Sequence, residues 1–186
     1  SVYFRTTDEH LRKGLEHNRQ KNYPDAVAAL KRDVALNPDN FNGWLALGNT
    51  YSGLNRVEDV ISAYKEATKV SPANPKPYNN LAIFFAQQNR LDEATNMFRI
   101  ALSYNENDDL VLTNLAAILV RQEKELDEAH SLMEQALKLK PRKAAYHGLF
   151  ATIQEKQGKR ELARNSLRRP PNSTLKIRFS SLGWNP

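Results

Sequence analysis

The sequence contains no cysteine and no long run of apolar residues. The first absence excludes disulfide bonds, thiol nucleophiles and cysteine-ligated zinc or iron–sulfur sites. The second excludes a membrane-spanning helix, which needs about 18 consecutive apolar residues. The seven glycines stand singly, so no glycine-rich phosphate loop is present. The four histidines have no metal-ligand spacing, and no serine has histidine and aspartate partners that the sequence can place. We therefore expect no enzymatic activity, no cofactor and no metal site.

Net positive charge is absent from most of the chain. Residues 1–143 contain equal numbers of basic and acidic residues, so residues 144–186 carry the whole net charge of +6. A protein that binds nucleic acid along its length distributes basic residues through its fold. The charge distribution therefore makes nucleic acid an unlikely partner.

The length of 186 residues and the 40% hydrophobic content are typical of one globular domain. The chain begins with Ser1, and no charged and then apolar leader precedes the first polar stretch. We interpret this start as trimmed and expect a cytoplasmic location, with a periplasmic or organellar one left open.

A 34-residue period is the most informative feature of the sequence. Residues 44–51, 78–85 and 112–119 align with one another at this spacing. Each block is followed by a second pattern of small and bulky residues, namely Val60, Tyr64, Ala67; Ala94, Phe98, Ala101; and Ala129, Met133, Ala136. Such self-similarity predicts stacked supersecondary units. Gly48, Ala82 and Ala116 each follow a leucine, where a short side chain lets two helices approach closely.

These patterns resemble the tetratricopeptide repeat family. Trp44, Leu47, Gly48 and Tyr51 match the first helix of that repeat, here called the A helix, and Tyr64 fits the second, the B helix. The resemblance implies an all-α fold, a right-handed superhelix of five helix–turn–helix units with about ten helices. The predicted array covers residues 7–169, with units at about 7–40, 41–74, 75–108, 109–143 and 144–169. The fourth unit has one extra residue in its inter-helix turn.

Residues 170–186 are predicted to form a short basic and apolar tail. Pro170 and Pro171 should end the last helix at Arg169, because proline lacks the amide donor. Two interpretations of the tail remain open. It is either a mobile terminus, or Ile177, Phe179 and Trp184 dock on the array or on a neighbouring chain and make the protein a homo-oligomer.

The resemblance further implies a concave groove, lined by the A helices, that binds a peptide or helix of a partner protein. The protein is then a scaffold or adaptor. Asparagine recurs at the groove positions, and its carboxamide can pair with both the N–H and the C=O of a peptide. The alternative is that these amides are solvated or bond the neighbouring helix. The predicted groove residues are Asn49, Lys76, Asn79, Asn80, Asn114 and Arg121.

Three other functions are alternatives to a general scaffold. Chaperone-binding members of the family clamp a C-terminal carboxylate with a lysine four residues before an asparagine such as Asn49, and Leu45 stands there instead. The clamp also requires a lysine and an arginine where Leu110 and Asn114 stand. Binding to chaperone tails is therefore disfavoured. Two alternatives to a peptide-binding scaffold remain. One is an RNA-binding helical-repeat protein, and the other is an assembly module that self-associates through the tail.

Overall fold

The computed structural model describes the backbone of residues 2–158 and the side chains of residues 9–158. This range is helical throughout and contains nine helices and no strand. The helices are α1 (Val2–Arg19), α2 (Tyr23–Leu36), α3 (Phe41–Gly53), α4 (Val57–Val70), α5 (Pro75–Gln87), α6 (Leu91–Tyr104), α7 (Asp109–Gln122), α8 (Leu126–Leu139) and α9 (Ala144–Lys156). Helix α1 begins before residue 7, where the first repeat was predicted to start. The predicted tenth helix and the tail lie outside the described residues.

The chain divides into two compact units, Ser1–Gln87 and Gln88–Pro186. The division falls inside the third predicted repeat, so α5 belongs to the first unit and α6 to the second. In the first unit each helix packs against the next one in the chain, and α3 also contacts α1 and α5. In the second unit α7 packs against α6 and α8, and α9 contacts both α8 and α7. The odd-numbered helices are the A helices of the predicted repeats.

The turns between paired helices use residues in the left-handed region. Asn55 (φ 56°) and Asn89 (φ 59°) follow α3 and α5, and asparagine tolerates this conformation better than most residues. The turn between α7 and α8 contains two such residues, Glu123 (φ 53°) and Glu125 (φ 48°). This is the turn in which the sequence spacing predicted an extra residue.

Close helix contacts depend on small residues. A Cβ atom built on Gly48 would lie 2.6 Å from Cε1 of Tyr64, and one built on Gly14 would lie 2.5 Å from Cγ of Leu30. Ala82 and Ala116, at the positions equivalent to Gly48, are fully buried. The helices can approach each other this closely because these positions lack bulk.

A repeated hydrogen bond secures three of the junctions between repeats. Trp44 Nε1 donates to the carbonyl of Pro38 (2.7 Å), and Tyr78 donates its hydroxyl to the carbonyl of Pro72 (3.1 Å). His147 Nε2 lies 2.9 Å from the carbonyl oxygen of Pro141. In these three cases a ring near the start of the A helix thus holds the preceding loop through a solvent-exposed polar contact.

Candidate functional site

The α3–α5 face is the best-defined polar surface of the first unit. On α3, Leu45, Asn49 and Ser52 follow a spacing of four and then three residues, which places them on one side of the helix. On α5, Lys76, Asn80 and Ile83 share one side in the same way. All six side chains are exposed or half-buried. We call this surface, formed by these six residues, the α3–α5 face.

A hydrogen-bonded cluster lies at its centre. The hydroxyl of Tyr64, on α4, donates to Oδ1 of Asn49 at 2.6 Å. Asn80 Nδ2 donates to the same oxygen at 3.0 Å. Asn49 and Asn80 therefore come from successive A helices and are held against one another. We refer to these three residues as the Tyr64–Asn49–Asn80 cluster.

Tyr64 is fixed as a hydrogen-bond donor in this cluster. Its side chain is 2% exposed. Burial raises the pKa of the Tyr64 phenol well above its ordinary value of 10.0, although a hydrogen bond with Asn80 acts in the opposite direction. The hydroxyl therefore keeps its proton at physiological pH, and the amide of Asn49 is oriented with its oxygen towards Tyr64.

This orientation leaves one donor group and one acceptor unused. Within the described residues, Asn49 Nδ2 and Asn80 Oδ1 make no hydrogen bond. A carboxamide offers two N–H donors and an acceptor oxygen. The cluster thus presents a free amide nitrogen on α3 and a free amide oxygen on α5, and both belong to side chains that reach solvent.

Two further predicted site residues lie next to the cluster without joining it. Asn79 is half-buried, and its Oδ1 atom is buried with no hydrogen-bond partner. Lys76 is exposed, and its ammonium group forms no ion pair in the part of the chain that the structure describes. Lys76 is also the one charged residue on the α3–α5 face.

The other two predicted residues belong to the second unit. Asn114 and Arg121 lie seven residues apart on α7, a spacing that places them on the same side of the helix. Arg121 Nη2 donates to Oδ1 of Asn89 at 2.8 Å. Asn114 is half-buried, and its side chain makes no hydrogen bond within residues 9–158. Four of the six predicted residues thus lie in the first unit and two in the second.

Tyr64 is a site residue that the repeat pattern does not reveal. The pattern predicts a bulky core residue of the B helix, and the Tyr64 ring does fill the space above Gly48. The signal that could have identified its second role is the hydroxyl, because a buried tyrosine O–H usually finds a partner.

The described residues contain no group of three or more histidine or acidic side chains able to hold a metal ion. None of the described helices combines the length and the apolar character needed to cross a bilayer.

Comparison with known proteins assigns the family. Residues 45–109 match the sequence model of the tetratricopeptide repeat family. The sequence match identifies residues 45–109 as tetratricopeptide repeats. The solved structure of MamA resembles it with a TM-score of 0.77 and 20% identity, covering 88% of both chains. The all-α fold predicted from the sequence is confirmed.

Curated tetratricopeptide relatives are distant and much longer. Anaphase-promoting complex subunit 3 of Schizosaccharomyces pombe is 21% identical over 150 residues, which is 81% of this chain. Peroxisome biogenesis protein 5 of Arabidopsis thaliana is 31% identical over 87 residues, or 47% of the chain. The chain spans 22% and 12% of the length of these two proteins. As a family, tetratricopeptide repeats are protein-interaction modules and are generally not enzymes.

Proposed function

We propose that the chain is a scaffold or adaptor that binds an extended segment of a partner protein on the α3–α5 face. The observation that carries this proposal is the Tyr64–Asn49–Asn80 cluster. Its hydrogen bonds hold two exposed amides together while leaving one donor group and one acceptor free. An extended peptide presents alternating C=O and N–H groups, which are the complementary pair.

In this mode of binding, Asn49 Nδ2 donates to a carbonyl of the partner, and Asn80 Oδ1 accepts from one of its N–H groups. Tyr64 lowers the entropic cost of binding, because Asn49 is already oriented before the partner arrives. Leu45 and Ile83 lie beside the amides and offer apolar surface to the partner's side chains; Ile83 is 36% exposed.

The same face argues against a charged ligand. Lys76 is its one charged residue, and Leu45 stands where a carboxylate clamp would need a lysine. An RNA strand would require several cations along its path. Main-chain recognition of a neutral peptide segment is the mode that this composition supports.

The test begins with peptides selected against the full chain from a random peptide library. Isothermal titration calorimetry then compares the parent with Asn80→Ala. The substitution removes one hydrogen bond and leaves the peptide N–H unpaired, so we expect binding to weaken about tenfold. Asn96→Ala is the matched control, because Asn96 is an exposed asparagine on α6, a B helix. Equal affinities for the parent and Asn80→Ala, at unchanged helicity, would refute the assignment.

We also propose several features that follow from the sequence alone. They are the five repeat boundaries within residues 7–169, the participation of Asn114 and Arg121 in partner binding, and a cytoplasmic location. Self-association through residues 170–186 belongs with them, since that tail lies beyond the described residues. Sedimentation of the full chain, and of the chain ending at residue 171, would test the last of these.

A further inference from the structure

The junction between α8 and α9 differs from the other junctions between repeats. We define the basic segment as residues 138–143, which include Lys138, Lys140, Arg142 and Lys143. The equivalent six-residue segments contain one acidic residue (35–40), one basic residue (69–74) and two acidic residues (103–108). A concentration of four positive charges is therefore a local departure and does not follow from the repeat pattern.

The basic segment is also unusually accessible. Every residue from 138 to 145 is exposed, which is the longest such run between residues 9 and 158. Leu139 lies within it and is 38% exposed. The basic segment thus exposes positively charged side chains and the apolar side chain of Leu139 to solvent together.

The cations of the basic segment are mostly unpaired. Within the described residues, Lys138, Lys140 and Arg142 form no ion pair and no side-chain hydrogen bond. Lys143 is the exception, because its ammonium group donates to the hydroxyl of Tyr146 (2.9 Å) and lies 3.8 Å from Asp109 Oδ2.

Other cations of the second unit are matched with carboxylates. Arg99 Nη2 lies 2.7 Å from Glu125 and 2.5 Å from Glu128. Lys124 lies 3.3 Å from Asp92. These cations of the second unit therefore have acidic partners, whereas, among the residues that the structure describes, Lys138, Lys140 and Arg142 of the basic segment do not.

The basic segment also lies where other A helices have a capping side chain, and α9 has none. Asn40 and Asp108 accept hydrogen bonds from backbone amides in the first turns of α3 and α7. Lys143 stands at the equivalent position before α9, and no side chain caps that helix. Lysine there adds positive charge to the positive end of the helix dipole, which is unfavourable by itself, and Asp109 is the nearby carboxylate that offsets it. A residue that is unfavourable for its local structure, such as a lysine at the start of a helix, is found more often at functional sites.

From these observations we infer that the basic segment is a second interaction surface, and that it binds an acidic segment of a partner protein that also carries apolar residues. Leu139 supplies the apolar contact. The charges are confined to six residues, whereas a nucleic acid strand is held by cations spread along a surface. The basic segment shares no residue with the α3–α5 face, so either proposal can fail without the other.

The test uses the full chain and a synthetic peptide of alternating glutamate and leucine, with fluorescence anisotropy as the measurement. The variant Lys138→Gln, Lys140→Gln, Arg142→Gln should weaken binding about tenfold, because it removes three exposed charge contacts of the usual modest strength. Affinity should also fall as salt is added. The control is Lys31→Gln, Arg32→Gln, Lys65→Gln, which removes the same charge from exposed residues of the first unit that lack ion pairs among the described residues.

The outcomes separate the alternatives. Little change in the control, with a large loss in the test variant, supports the inference. Equal losses in both variants would mean that net charge alone attracts the peptide, and the inference fails. It also fails if the parent does not bind the peptide at low salt. A different result is that the parent binds single-stranded RNA or phosphatidylserine vesicles more tightly than the peptide, and loses that binding in the test variant. That result would assign the surface to the RNA or the membrane and overturn the assignment to an acidic peptide.

Discussion

Gly48 is the position at which the packing of the second repeat can be tested most sharply. A Cβ atom there would lie 2.6, 2.7 and 2.9 Å from three ring carbons of Tyr64. The ring cannot move freely to make room, since it is 2% exposed and its hydroxyl is bonded to Asn49. Gly48→Ala therefore forces either the ring or the helix backbone to shift.

Two opposing contributions set the change in the free energy of unfolding caused by Gly48→Ala. Overpacking of this kind typically costs about 1–3 kcal/mol. Replacing glycine by alanine inside a helix contributes roughly 0.5–1 kcal/mol of stability. The net expectation is a loss of about 0–2.5 kcal/mol for Gly48→Ala. Gly48→Leu adds further atoms to the same crossing and should cost more.

Gly148 provides the matched control within the same chain. It lies inside α9, and beyond its chain neighbours and the adjacent backbone of its own helix no heavy atom stands within 4 Å of a Cβ built there. Gly148→Ala should therefore show the helix-propensity gain alone, about 0.5–1 kcal/mol. The difference between the two alanine variants isolates the overpacking cost, about 1–3 kcal/mol.

The assay is urea denaturation of the full chain followed by circular dichroism. For a chain of this size, 1 kcal/mol also moves the thermal midpoint by roughly 2–4 °C, so a thermal scan provides an independent reading. If Gly48→Ala stabilises the protein as much as Gly148→Ala does, the contact between Gly48 and Tyr64 is wrong, and the repeat register that predicted it is wrong too.

Two further predictions concern single side chains. Tyr64→Phe should cost about 0.5–1.5 kcal/mol in denaturation and weaken the selected peptides, because Asn49 loses the bond that orients it; unchanged peptide affinity would contradict the positioning role. A hydrogen bond from Lys156, and then its charge, lower the pKa of Glu123 below its ordinary value of 4.5. Because the folded-state pKa is the lower one, this contact stabilises the fold above pH 4.5 and is lost as the pH falls through the folded value. Glu123→Gln should therefore make stability less dependent on pH in that acidic range, and an unchanged acid slope would count against the contact.

Backbone-level features of the fold could be predicted from the sequence. The 34-residue period located the helices because each repeat reuses the same small and bulky positions, such as Gly48 opposite Tyr64. The turn residues Asn55 and Asn89 were also identifiable, since few other residues adopt a left-handed conformation so readily. The extra residue of the fourth repeat was visible in the spacing, and the structure places both left-handed residues of that turn there.

The side-chain partners could not be predicted in the same way. A repeat pattern shows that Asn49 and Asn80 lie on A helices, but not that one oxygen accepts from both Tyr64 and Asn80. That geometry depends on rotamers and on the distance between successive helices, which the period leaves open. The basic segment was likewise hidden, because counting charge over residues 1–143 averaged its four cations with acidic residues elsewhere.

The second repeat differs from the other described repeats in one chemical respect, and this difference links its packing to its binding face. The B-helix position occupied by Tyr64 is Leu30, Phe98 and Met133 in the other repeats. All four residues are buried and fill the space beside an A helix, so any of them satisfies the fold. Tyrosine alone among them carries a hydroxyl, which must find a partner when it is buried. Its acceptor is Asn49, on the exposed side of the A helix. A requirement of the core is thereby met by a surface amide, and the orientation of that amide depends on how tightly the ring packs against Gly48.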